Sequence, residues 1–268
     1  KLVILERERV NKNQIIYPHR EDEIGTLSKE IENMSKGLQS QIEQLEKFSA
    51  DVSHELKNPL TSLQSAIELI DINNIDEDKK NLLINNIKND LKRMNQLITD
   101  ISNFTRLKAE IELEKNEYIT LNNFFDEIPE IFINNNKGVK LIFKKHTEDF
   151  KILANKNKLI QVFINLIDNS ISLSPEGSKI LIQMDKMDDK IISLRFYDQG
   201  KGIDLKDSEK IFERFYSDRQ ENIKNHTGLG LSIAREIIEH MNGNISLDKS
   251  NKSEYPGACF LITLPVKQ

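Results

Sequence analysis

Two apolar seams at helical spacing constrain this chain more than anything else in it. From Glu23 to about Ile72, apolar residues recur at Leu27, Ile31, Met34, Leu38, Ile42, Leu45, Phe48, Val52, Leu56, Leu60, Leu63, Ile67 and Ile70, in steps that one helix gathers into a stripe. The consecutive four-residue steps Met34 to Leu38 to Ile42 break the heptad and predict a local unwinding of any supercoil. After a polar stretch with Asp76 as candidate cap, a second seam runs Ile84, Ile87, Leu91, Met94, Ile98, Ile101 and Thr105. Two antiparallel amphipathic helices follow. A lone hairpin of this kind leaves its stripe half exposed, and pairing two hairpins into a four-helix bundle buries it.

Past Glu117 the period changes. Strand-like runs at Tyr118 to Leu121, Val139 to Lys144, Lys151 to Ala154, Lys179 to Met184, Ile191 to Tyr197, Asn244 to Leu247 and Cys259 to Leu264 alternate with helix-like runs at Leu121 to Asn134, Lys156 to Leu173 and Leu229 to Met241. That interleaving predicts a two-layer α/β sandwich of about 150 residues. The composition fits one packed core and a charged stalk, with 30% charged residues, 38% hydrophobic and no Trp. A net charge of -5 and no basic run interleaved with aromatics argue against direct nucleic-acid binding. The single cysteine, Cys259, excludes an intrachain disulfide and reads as a buried strand thiol. No stretch reaches the ~20 apolar residues of a membrane span. The first residue is Lys rather than Met, so the expectation is a piece of a longer chain.

Four short stretches carry chemistry. His54 lies mid-helix beside Glu55: an unprotonated imidazole is a nucleophile near neutral pH, and a carboxylate can take its proton or hold the reactive tautomer. Taken alone, a helical His next to Glu is more often a surface pair. Pro59 changes the weighing, because an interior proline removes a helix hydrogen bond just past the histidine and predicts a kink there. Asn165 and Asn169 stand one turn apart with Asp168 between, so their amide oxygens can share a hard cation, although a polar helix face would look the same. Asp198-x-Gly200-x-Gly202-Ile203 follows a strand; its glycines allow tight turns, and its carboxylate can accept from an exocyclic amine. Finally, Thr227-Gly228-Leu229-Gly230-Leu231 opens the last long helix, where free N–H groups and the helix dipole suit phosphate.

In this order the stretches resemble the transmitter region of sensor histidine kinases, over roughly Glu23 to Val266. Phe48 to Thr61 looks like the phosphoacceptor box, Asn165 to Asn169 like the N box, and Asp198 to Ile203 like the G1 box. Phe212 to Tyr216 resembles the F box, Ser217 to His226 the ATP lid, and Thr227 to Leu231 the G2 box of the Bergerat (GHKL) ATP-binding fold. The resemblance implies ATP as cofactor with Mg²⁺ on Asn165 and Asn169, His54 as phosphoryl acceptor assisted by Glu55, and Asn58 positioning water for dephosphorylation of a partner. It also places nucleotide contacts at Asp198, Gly200, Gly202, Ile203, Thr227, Gly228, Leu229, Gly230 and Leu231, with Arg214, Arg219 and His226 reaching phosphates from a mobile lid. Ser172 and Leu173 depart from it, standing where a Lys and an aromatic residue are common.

The implied organisation is a partial HAMP linker and signalling helix over 1–38, a dimerisation and histidine phosphotransfer domain over 39–112, and a catalytic ATP-binding domain over 113–268. The implied partners are a second copy of the chain and a response-regulator receiver domain, with the membrane reached only through a missing amino-terminal segment of a bacterial inner-membrane protein whose cytoplasmic portion this is. Two alternatives stay open: a nucleotide-binding scaffold without kinase chemistry, suggested by Ser172 and Leu173, and a Bergerat-fold conformational ATPase, which has no use for the His54 box.

Overall fold

A computed structural model of the chain describes residues 22–70, 76–113, 115–132, 138–216, 227–249 and 252–267. The seams fold as expected into two long helices, α1 (Glu23–Ile70) and α2 (Glu77–Leu113). At the start of α1, Asp22 accepts the Gly25 N–H at 3.0 Å, satisfying one of the donors a helix leaves free at its first turn. Along this part of α1 the stripe Leu27, Ile31, Met34, Leu38, Ile42 and Leu45 is exposed, each residue by 45–69%. Asp76 stands immediately before α2, its carbonyl accepting the Lys80 N–H at 3.0 Å.

From His54 onward α1 runs back against α2. Arg93 Nη2 meets Glu55 Oε2 at 3.1 Å, and the Ser62 hydroxyl donates to Asp90 Oδ2 at 2.7 Å, two cross-links whose opposed numbering is that of an antiparallel pair. Pro59 is buried inside α1, and the helix continues through it to Ile70. Having no N–H, Pro59 leaves the Glu55 carbonyl without its usual helical donor. Leu60, Ile67, Leu91 and Ile98 stay about half exposed, the open stripe that the sequence pattern predicts for a single hairpin.

The second part begins with β1 (Glu117–Thr120), α3 (Leu121–Ile131), β2 (Lys140–Lys144), β3 (Lys151–Ala154) and α4 (Lys156–Leu173). It continues through β4 (Lys179–Lys186), β5 (Ile191–Tyr197), two short 3-10 turns (Leu205–Asp207 and Lys210–Phe212), α5 (Gly230–His240), β6 (Asn244–Leu247) and β7 (Cys259–Pro265). Five strands form one sheet in the order β2-β4-β5-β7-β6, with β2 and β4 parallel and the other pairs antiparallel, while β1 and β3 make a separate antiparallel pair. Asn155 caps α4, its side chain accepting the Lys158 N–H at 3.1 Å.

One face of the sheet packs on helices. Phe163 of α4 centres that core, meeting Phe124 and Phe196 edge-on at 5.0 Å and Phe125 at 5.9 Å, a geometry that aligns ring edges with neighbouring faces. Because side chains alternate across a strand, Tyr197 points to the opposite face, where it joins Leu181, Tyr255 and Cys259 in a smaller buried cluster. Cys259 is a buried thiol on β7, as its apolar run predicted. Helix α4 also packs on α5, and that junction carries the site.

Candidate functional site

The inner ends of α4 and α5 border a cleft of about 470 Å³. Asn165, Asp168, Asn169 and Leu173 supply the α4 wall, Gly202 and Ile203 the loop after β5, and Thr227, Gly228, Gly230 and Leu231 the turn into α5. Residues from these three separate stretches of sequence therefore meet at one concavity. Leu229, between the glycines, is fully buried beneath the turn.

Local chemistry explains the shape. Gly228 has φ +75°, and a Cβ there would sit 2.6 Å from the Phe215 carbonyl carbon, so no side chain fits while the Phe215 N–H bonds the Gly228 carbonyl at 3.0 Å. Helix α5 then begins with no side-chain cap at Leu229. Its first N–H groups are left for an external acceptor, and the positive end of the helix dipole faces the same way. On the α4 side, Ser172 donates to the Asn169 carbonyl at 2.7 Å, turning back onto its own helix, while Leu173 gives the cleft an apolar wall.

Asp198 lies just outside the cleft-lining residues and is 1% exposed. Its Oδ1 accepts the N–H groups of Gly200 and Ala258, both at 2.9 Å. Its Oδ2 is buried and has no hydrogen-bond partner among the described residues. Burial pushes this carboxyl above its usual range, against the two backbone donors, which favour the charged form. The Ser170 hydroxyl is close enough to favour the charged form slightly but makes no hydrogen bond of proper geometry. A buried carboxylate oxygen left this way departs from the rule that buried polar atoms find partners.

Not every expected residue converges. Gly200 belongs to the Asp198 turn rather than the cleft lining. Arg214 stacks its guanidinium 4.7 Å from the centre of the buried Phe104 ring on α2 and does not line the cleft. Arg219 and His226 lie outside the described residues. His54 and Asn58 are exposed on α1, away from the cleft lining, and Glu55 is half-buried against Arg93.

Sequence reasoning missed the part played by α2. Gln96 and Asp100 line the cleft, and Asp100 Oδ2 accepts the Thr227 hydroxyl at 2.5 Å while Oδ1 accepts Gln96 Nε2 at 2.8 Å. It also missed Gly257 and Ala258, for which the Pro256-Gly257 pair before the last apolar run was the available signal.

A helical hairpin followed by an α/β sandwich with a glycine-edged cleft defines a class, and comparison with known proteins agrees. Residues 44–110 match the His Kinase A (phospho-acceptor) domain, and residues 154–268 match the histidine kinase-, DNA gyrase B-, and HSP90-like ATPase family. The chain belongs to the sensor histidine kinases of two-component systems. It is 36% identical over 262 residues to the sensor protein ChvG of Rhizobium meliloti, covering 93% of this chain and 45% of that one. It is 33% identical over 265 residues to the sensor histidine kinase YclK of Bacillus subtilis, covering 91% and 53%. The chain thus spans about half the length of the curated relatives it matches. A solved structure of the histidine kinase ThkA in complex with the response regulator protein TrrA superposes with a TM-score of 0.59 at 25% identity, covering 92% of this chain and 68% of that one.

Proposed function

We propose that this chain autophosphorylates on His54 from ATP and passes the phosphoryl group to an aspartate of a response regulator. The observation that carries the reading is the cleft, where an amide-bearing helix, a glycine turn and an uncapped helix start meet beside a buried carboxylate with one open oxygen. Those features suit a polyanion with an amine-bearing base. The exposed imidazole of His54 supplies an acceptor in the same chain.

In the reaction, an imidazole nitrogen of His54 attacks the γ-phosphorus. The P–N bond forms as the bond from that phosphorus to the β,γ-bridging oxygen breaks, ADP leaves, and the imidazole gives up its proton, with Glu55 as the nearest carboxylate in sequence. The P–N bond then breaks as a regulator carboxylate takes the group. Such transfer is catalysed chiefly by positioning and charge stabilisation, which allows the acceptor to sit in a different domain from the nucleotide. Asn58, one turn beyond His54, is assigned to orient water for dephosphorylation of the regulator.

Asn165 and Asn169 fit a magnesium ion: both line the cleft one turn apart, and amide oxygens are hard donors that suit a cation completed by phosphate and water. Bound there, Mg²⁺ would neutralise charge on the phosphates. The exposed stripe on the hairpin supports a homodimer through a four-helix bundle, and the ThkA–TrrA complex supports a receiver domain as partner. The domain division at 38/39 and 112/113 belongs to the same reading, as does a HAMP segment at the start, although residues 1–21 lie outside the described residues. No described helix is long and apolar enough to cross a membrane, and placement as the cytoplasmic portion of a bacterial inner-membrane protein belongs to the same proposal.

Ser172, folded back on Asn169, favours the scaffold as second reading, since no lysine stands at that position to meet phosphate. Incubation with γ-labelled ATP decides. Acid-labile, base-stable label that disappears in His54→Ala, with nucleotide affinity kept, is the expected result. Nucleotide binding without label supports the scaffold, and steady phosphate release without label supports a conformational ATPase.

A further inference from the structure

We propose that base selectivity in the cleft is set by the segment between β6 and β7, with Gly257 and Gln199 as positioning residues that hold the Asp198 carboxylate with one oxygen satisfied and the other open. The inference rests on the reading of the cleft as a nucleotide site.

The β5–β7 ladder continues past its last strand pair, Tyr197 with Cys259. The Asp198 N–H donates to the Ala258 carbonyl and the Gly257 N–H to the Asp198 carbonyl, each at 3.1 Å. This double link brings the Ala258 N–H onto Oδ1, where it joins that of Gly200. Oδ1 is thereby used by two donors while Oδ2 keeps none. Gly257 makes the arrangement possible. A Cβ on it would lie 1.9 Å from Asp198 Oδ1, 2.6 Å from the Gly200 nitrogen and 2.8 Å from the Asp198 carbonyl oxygen. Any side chain at 257 must therefore push the carboxylate or the turn aside.

Gln199 fixes the same segment from the other end. Its Nε2 donates to the Glu254 carbonyl at 2.7 Å and its Oε1 accepts the Lys179 N–H at 2.8 Å, so one amide ties the start of β4 to the β6–β7 segment. Tyr255, buried beside Tyr197 on the sheet face away from α4, anchors the middle of the segment. None of these side chains lines the cleft. They act through Asp198.

The consequence is discrimination. Adenine carries an exocyclic amine where guanine carries a carbonyl. An open carboxylate oxygen accepts from the first and repels the second, provided it cannot rotate to present an oxygen already in use. Selectivity then depends on how firmly the carboxylate is held, beyond its mere presence.

The test is calorimetric titration of the full chain, and of its Gly257→Ala and Gln199→Ala variants, with ADP and with GDP, alongside thermal unfolding. The wild type should prefer ADP, and the preference should shrink about tenfold in Gly257→Ala and about threefold in Gln199→Ala, on the scale of one weakened hydrogen bond. Should Gly257→Ala fail to fold, Gln199→Ala decides alone, since its side chain is only half-buried. Equal loss of ADP and GDP affinity with a lowered melting point makes the segment merely structural and overturns the proposal, as does an unchanged ratio in the folded variants. A wild type that binds both alike overturns it while leaving the nucleotide site standing; a wild type that binds neither overturns the nucleotide reading and this inference together.

Discussion

The Thr227 hydroxyl donates a 2.5 Å hydrogen bond to Asp100 Oδ2, joining the turn before α5 to helix α2 across 127 positions of sequence. Asp100 thereby places a carboxylate at the edge of the cleft, beside the helix start that suits phosphate. An anionic ligand bound as proposed would face this anionic side chain, and charges of like sign a few ångströms apart repel appreciably even when partly screened.

Asp100→Asn keeps a hydrogen-bonding group and removes the charge. We expect it to tighten ATP binding about three- to tenfold at low salt, with the gain shrinking at high salt as screening weakens the repulsion it relieves. Titration at two ionic strengths checks this. Unchanged affinity at both would show that the Asp100 charge is not felt by the ligand.

The Glu55–Arg93 pair ties the carboxylate next to His54, the proposed acceptor, to α2 through one oxygen, leaving the other unused by that contact. Glu55→Gln should slow acquisition of label by about a hundredfold or more, the order of a lost acid–base group. Arg93→Ala should slow it too, and the two losses should fail to add, because both act through one carboxylate. Additive losses in the double variant, measured as label appearing over time, would separate Arg93 from Glu55.

Asp198→Asn isolates the cost of burying a charge. A carboxyl whose folded pKa is raised above its ordinary value near 3.8 stabilises the fold below that value, and this contribution is lost as pH rises through the folded pKa. The amide does not titrate, so the variant should melt higher than wild type at neutral pH, with the gap closing as the solution is acidified. It should also bind ATP more weakly, because an amide N–H₂ in place of Oδ2 opposes the amine of the base. Melting curves across pH and one nucleotide titration test both halves; a constant difference in melting point would assign the effect to something other than charge.

Asn169→Ala should weaken the magnesium-dependent part of ATP binding and leave the magnesium-free part nearly unchanged, since the proposed ligand is a single amide oxygen. Titration with and without EDTA separates the parts. Equal losses in both would remove the residue from the metal.

Much of this architecture was legible because it rests on local periods. The seams from Leu27 to Ile70 and from Ile84 to Thr105 fold as α1 and α2, and the run Lys156 to Leu173 is α4. The strands were found where β-rich runs stood between turn residues, and the glycine turn before α5 was found because Gly228 and Gly230 flank a leucine at a helix start. What escaped has no period. That Asp100 would meet Thr227, or Ala258 reach Asp198, depends on elements brought together from far apart, and no spacing within either element encodes it. The contact of Arg214 with the buried Phe104 ring on α2, 4.7 Å from guanidinium to ring centre, was illegible for the same reason.

The pairing of β5 with β7 has a consequence for folding order. Asp198 takes its second backbone donor from Ala258, 60 positions along the chain, so the proposed base site stays incomplete until the final strand has closed a long loop onto the sheet. A chain in which α4 has packed but β7 has not paired would carry the amides and the Asp198 turn but an unsettled carboxylate. A ligand that binds only the finished site stabilises only chains that have paired β7, so nucleotide protection against proteolysis would report on whether that strand is in place.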